Sequence, residues 1–170
     1  MATQRLIALV ANKLAEYVPI LLSAGVSSSG SVAALDGSGR FDISFMPTGL
    51  GADVATMTAS EAISAGAFVN IWSNAGAFAV RNADGAVANK QADGFVLSAI
   101  ASGASGLVYF QGINTAVTGQ VPGLVFLSDT AVGAAATMGA TIAGHTFQQI
   151  GLALTATTIQ FDPEPAILRA

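Results

Sequence analysis

His145 is the only histidine in the chain, and with the ten Asp and Glu side chains it is the first candidate for acid–base or metal chemistry. A zinc site built on one imidazole would need carboxylates for every other ligand, and no HExxH-like spacing surrounds His145. A Ser–His–Asp arrangement is formally available, but no serine stands in a GxSxG elbow. Ser102 and Ser105 each precede a glycine in a turn that leads to a strand, so neither opens a helix. His145 therefore reads as a loop or rim residue. Asp36, Asp84 and Asp93 each stand directly before glycine, where a short carboxylate bonds turn backbone, and that use outweighs catalysis. Asp162 and Glu164 flank Pro163 and read as a solvated tail. The glycine-rich GLGAD at 49–53 lacks the Lys and Ser/Thr of a phosphate loop. Trp72, Tyr109 and Phe110 could form a sugar-stacking platform, yet they fall inside expected strands, where core packing is the stronger reading. The absence of cysteine removes disulfides, thiol catalysis and thiolate metal sites together, and leaves the redox compartment open. No catalytic, cofactor-binding or metal residue is assigned, and the expectation is a protein that is not an enzyme.

The elements that would have to position such groups are short of charge. Only 9% of the 170 residues are Asp, Glu, Lys or Arg, against about 25% in an ordinary domain. Yet 52% are hydrophobic, which excludes a disordered chain and argues against a freely diffusing monomer. The length suits one domain with an appended arm. The net charge of −4 and six scattered basic residues (Arg5, Lys13, Arg40, Arg81, Lys90 and Arg169) offer no face for nucleic acid. Mean hydropathy is +0.63, and no formal charge occurs from 94 to 128. That stretch is broken by Gly103, Gly106, Gly112, Gly119, Pro122 and Gly123, whereas a spanning helix needs about 20 predominantly apolar residues. The aromatic residues are spread too evenly for the girdles of a lipid-facing barrel. No membrane partner is expected. Asn12, Lys13 and Glu16 follow the opening MATQRLIALV too soon for a signal peptide.

Three stretches differ in texture. In residues 1–22, Ile7, Val10, Leu14, Tyr17 and Leu21 recur at spacings of 3, 4, 3 and 4, which predicts a short N-terminal α-helix. Thr3 would cap it, Lys13 and Glu16 would lie off the seam, and Pro19 would limit it. Its stripe has two open destinations, a packed surface on its own body or a neighbour, or a self-associating bundle. Residues 23–52 read as an extended Gly/Ser-rich arm. Val32, Leu35, Phe41, Ile43, Phe45 and Met46 would anchor it, because a free linker has no need of them. Residues 53–170 form the expected β domain. AFVNIWS turns at Asn74-Ala75-Gly76 into AFAVRN, and GFVLSAI, GLVYFQG, GLVFLS, FQQIGLAL and TTIQFD follow, with no helical period between them. The fold class expected is mainly β, a small antiparallel sandwich or barrel behind a helix and an arm.

Several stretches of the arm and the β domain carry a likeness. ALDGSGRFDISFMPTGLGAD at 34–53 resembles a linker of tailed-bacteriophage virion proteins that joins an arm-like N-terminus to a β domain. ASEAISAGAFVNIWSNAGAFAVRNADG at 59–85 and ADGFVLSAIASG at 92–103 are similar to phage capsid decoration (cement) proteins. GQVPGLVFLSD at 119–129 and QQIGLALTATTIQFDP at 148–163 resemble the closing segment of the same domains. The resemblance implies a non-enzymatic virion component on the outer surface of the capsid. It would be a homotrimer whose partner is the major capsid protein and whose arm lies against neighbouring capsid subunits. Ile7, Val10, Leu14, Tyr17, Leu21, Leu35, Phe41, Phe45 and Met46 are then the expected oligomer or capsid contacts. Similar closing segments occur in phage fibre and tail-spike modules. The alternative is therefore a module that binds a host receptor or glycan, centred on Trp72.

Overall fold

The computed structural model describes residues 5–10, 13–46 and 53–170. The chain divides into two compact units, Met1–Gly51 and Ala52–Ala170.

The first unit opens with a β-hairpin where a helix was expected. Strand β1 (Leu6–Val10) pairs antiparallel with β2 (Lys13–Tyr17), in the register Leu6 with Tyr17, Ile7 with Glu16 and Leu9 with Leu14. The physical reason lies in LIALV, an unbroken apolar run that fits a strand as well as a helix; a 3–4 spacing appears only when Ile7 and Val10 are picked out of it. Because side chains alternate across a strand, Ile7, Leu14 and Glu16 share one face while Leu6 and Tyr17 share the other. The seam is split. Val10 ends β1 opposite Lys13, Leu21 lies beyond the hairpin, and the expected cap Thr3 is outside the described residues. Arg5 Nη1 donates to Glu16 Oε2 at 2.7 Å, an exposed pair worth at most about 1 kcal/mol.

The Gly/Ser-rich segment that follows is shaped by turns. Ile20 bridges Ala33, Gly25–Ser28 and Ile43–Phe45 form short 3-10 turns, and Ser23 N donates to Ser44 Oγ at 2.8 Å. Asp36 Oδ1 accepts from Ser38 N and Arg40 N at 2.8 and 3.0 Å, the turn use expected of it.

The second unit is β throughout. Its first strands are β3 (Val54–Ala59), β4 (Phe68–Asn74), β5 (Ala77–Asn82), β6 (Gly94–Phe95) and β7 (Ser105–Tyr109). They close a barrel in the order β3-β5-β4-β6-β7. One seam, β3 with β5, is parallel; every other barrel pair is antiparallel. Then come β8 (Gly112–Asn114), β9 (Gly123–Leu127), β10 (Ala135–Ala136), β11 (Thr146–Phe147), β12 (Gln149–Thr155), β13 (Thr158–Phe161) and β14 (Ile167–Leu168). Five of these make an antiparallel sheet ordered β10-β9-β12-β13-β8, while β11 pairs with β14. The chain is mainly β, with a five-stranded barrel beside a five-stranded sheet.

Consecutive Phe68 and Val69 point to opposite faces of β4 and both are fully buried, so β4 is covered on both sides. Val69 joins Val80, Val96 and Val108 in one cluster. Phe68 joins Phe95 and the inward residues of the five-stranded sheet, Val125, Ile159 and Phe161 among them, in the other. Phe161 meets Phe68 and Phe95 with ring centroids 5.5 Å away in each case. At the register shift between β12 and β9, Gly151 takes φ +146°, and a Cβ there would collide with the Gln160 carbonyl oxygen. Only glycine lets β12 and β13 approach this closely. No helix among the described residues is long and apolar enough to cross a membrane.

Candidate functional site

The expected contact residues lie in the first unit, where the hairpin leaves apolar side chains in water. Ile7 is 75% and Leu14 78% exposed, diagonal to each other on one face of the two strands. Leu21, Leu35, Phe41 and Met46 are exposed as well, whereas Tyr17 and Phe45 are partly buried. Phe41 and Phe45 pack edge to face with centroids 6.1 Å apart. They are brought together by the Asp42 turn, in which Ser44 N donates to Asp42 Oδ1 at 2.9 Å. The Ser44 side-chain and backbone bonds hold the Asp42 carboxyl below its ordinary range. The structure thus puts Ile7 and Leu14 on one face of the hairpin and packs Phe41 against Phe45. A two-stranded hairpin is marginal by itself in water. Its exposed apolar side chains supply what a covering surface would need.

His145 and several of the carboxylates make hydrogen bonds within the fold. His145 Nδ1 lies 3.0 Å from Asp129 Oδ2, joining the loop before β11 to the end of β9. Ser128 Oγ accepts from Thr130 N and Ala131 N, so the neighbouring hydroxyl serves its own turn. Asp84 bonds its turn through Ala86 N at 2.9 Å. Asp93 does more than close a turn: its Oδ2 accepts from Asn70 Nδ2 at 2.9 Å and from Ile71 N at 2.8 Å, tying its loop to β4. Burial pushes the Asp93 carboxyl up, against the pull of the bonds from Ile71, Gln91 and Asn70. Glu61 goes the other way. Burial raises it, but the backbone and side-chain amides of Asn82, with Lys90 and Arg81, outweigh that and leave it lowered. Among the described residues, no three His, Asp or Glu converge as a metal site would require.

Two further places have the shape or the ring that a ligand would need. An open groove of about 630 Å³ lies between residues 88–93 and 163–168, with Asp93, Gln148 and Glu164 among its walls. Its buried amide is occupied, since Gln148 exchanges bonds with Ala92 N and O and donates to Glu164 O. Trp72 is no bare platform. The Arg81 guanidinium covers its ring at 4.6 Å, and its Nε1 donates to Ser60 Oγ at 3.1 Å. Tyr109 stacks on Phe95 at 5.2 Å, and Phe110 packs against the barrel cluster.

No protein-family model, curated protein or solved structure matches this chain. One surface escaped the sequence reading. Leu124, Leu152, Leu154 and Ile113 are exposed on the outward side of the five-stranded sheet. Their signal was present: GLVFL and GLAL are apolar at successive positions, as in strands covered on both faces.

Proposed function

We propose that this chain is a non-enzymatic structural protein of a tailed-bacteriophage virion. It sits on the outer surface of the capsid as a homotrimer and stabilises the shell by binding across subunits of the major capsid protein. The observation that carries this reading is the first unit, where a marginal hairpin and its turns hold Ile7, Leu14, Leu21, Leu35, Phe41 and Met46 in water. The likeness of segments within residues 34–163 to decoration proteins and to a virion-protein linker supports it. Function then follows from mechanics. A cored β unit supplies a rigid body, and the apolar unit ahead of it is ordered by the surface it covers. Burying about 600 Å² of apolar area would gain about 15 kcal/mol before ordering costs, which offset most of it.

The test is direct. Purified protein added to preformed empty capsids will co-sediment with them and raise their disruption temperature. Deleting residues 1–50 will abolish or strongly weaken that binding. Capsid binding unchanged by the deletion would remove the role given to the first unit. Binding to host cells or polysaccharide with no affinity for capsids would favour the fibre or tail module instead.

A further inference from the structure

Hydrogen bonds hold both walls of the groove between residues 88–93 and 163–168. Gln148 bonds Ala92 N and O on one wall and donates to Glu164 O on the other. Glu164 N donates to Gln149 O, and Arg81 Nη2 donates to Asn89 O at 3.1 Å. Asp93 Oδ2 is fixed by Asn70 Nδ2 and Ile71 N. The void of about 630 Å³ falls in the range of about 300–1,000 Å³ typical of small-ligand sites. Its lining is one-sided in charge. Asp93 and Glu164 contribute carboxylates, and no Lys, Arg or His is among the lining residues. Asp93 is half-buried, and among the described residues no cation stands within ion-pair distance of it. One hydroxyl is also unused. Thr146 is 4% exposed and lines the groove, and among the described residues its side chain makes no hydrogen bond. No fully enclosed polar side-chain atom of those residues lacks a partner, so the Thr146 hydroxyl opens to the void.

We propose that this groove binds the guanidinium of an arginine side chain presented by a partner protein. Charge selects a cation, because a half-buried carboxylate without a counter-ion gains more from one than a carboxylate in open water does. The donor set selects the kind of cation. Two carboxylates are too few for a metal ion, and no third His, Asp or Glu among the described residues joins them. Guanidinium carries five N–H donors in a fixed fork and is more weakly hydrated than ammonium, so it enters a partly buried acidic slot at lower cost. Asp93 and Thr146 are the recessed acceptors, and the exposed Glu164 adds charge at the rim. Pro163 and Pro165 offer apolar surface for the aliphatic stem. The groove is open, so it admits a side chain still attached to its own backbone, which an enclosed cavity would exclude.

The site stands apart from the capsid reading, and neither depends on the other. Its test titrates the purified full chain with N-acetylarginine amide near neutral pH and follows backbone amide signals by NMR. The signals of Gln91, Asp93 and Thr146 will shift and saturate with a dissociation constant of about 1 mM, as befits a small, half-exposed ligand. N-acetylcitrulline amide matches the probe in shape and lacks its charge, and it will bind at least about ten-fold more weakly. Asp93→Asn will weaken the arginine probe about ten-fold, and Glu164→Gln, at an exposed position, about two-fold. Because the two probes are compared on the wild-type protein, the matter is decided even if a variant fails to fold. No saturable shift at these residues up to about 50 mM probe overturns the site. Equal binding of the citrulline probe overturns the selection by charge. Spermidine binding more tightly than the arginine probe would give the groove to a free polyamine and also overturn the inference.

Discussion

Two carboxylates one strand apart in function titrate in opposite directions, and the difference is readable in stability. Glu61 accepts from Asn82 N and Nδ2 at 2.8 and 2.9 Å, and its folded pKa lies below the ordinary 4.5. Its contribution is thus fully present above pH 4.5 and lost as pH falls through the depressed value. Asp93, raised above 3.8 by burial, behaves in reverse: the fold gains from its protonated form and loses that gain as pH rises through the raised value. Urea unfolding followed between about pH 3 and 7 separates them. Glu61→Gln will cost up to about 1 kcal/mol near neutrality, because the site is largely solvated, and the cost will shrink in acid. Asp93→Asn keeps an oxygen for Ile71 N and will flatten the loss that the wild type shows on leaving acid. A Glu61→Gln cost that is the same at every pH would disprove the assignment. Neither carboxylate announces this in sequence. Asp93 stands before glycine and so reads as a turn aspartate, and its partners Asn70 and Ile71 lie on another strand.

At the scale of elements, the β4–β5 hairpin shows how closely local chemistry can be followed. Asn74 pairs with Ala77, and the two residues between them both take positive φ, Ala75 at 52° and Gly76 at 89°. This is the twist-matched two-residue turn that favours Asn-Gly. Ala75 carries a Cβ in the left-handed region at a cost of about 1 kcal/mol, and Ala75→Asn will recover about half of that or more. The readout is an upward shift in thermal midpoint with the barrel unchanged. A lower midpoint would mean that the turn is held by something other than its own backbone. The hairpin was legible because Asn74-Ala75-Gly76 separates two alternating runs. Strand β9 was legible too, with Gly123 marking its start, and β12 and β13 were legible from the apolar runs in FQQIGLAL and TTIQFD. The strand β3 was not, since VATMTA has neither aromatics nor clear alternation. The first hairpin was misread as a helix because LIALV is apolar at every position and carries no period of its own. The outward apolar side of the five-stranded sheet stayed hidden for a related reason: its strands are apolar on both sides, and which side faces water depends on what packs against it.

For the whole molecule, scarcity of charge sets how it will respond to its surroundings. The exposed residues expected to make contact in the first unit are aliphatic or aromatic, with a methionine among them. Capsid binding that rests on them will change by less than about three-fold between low and high salt, since screening acts on charge pairs and leaves apolar burial intact. A hundred-fold fall over the same range would point to docking through charges. The closed barrel bears on how such a molecule is made. Strands β4 and β5 are joined by a two-residue turn and can pair within microseconds of meeting. Strand β3 must wait, because its place lies between β5 and β7, and β7 is distant in sequence. Until β3 seats, the free sides of β5 and β7 carry unpaired backbone that a strand from another chain could fill. The parallel seam is therefore a point of timing in biogenesis: closing it within one chain before chains crowd together separates ordered assembly from tangling.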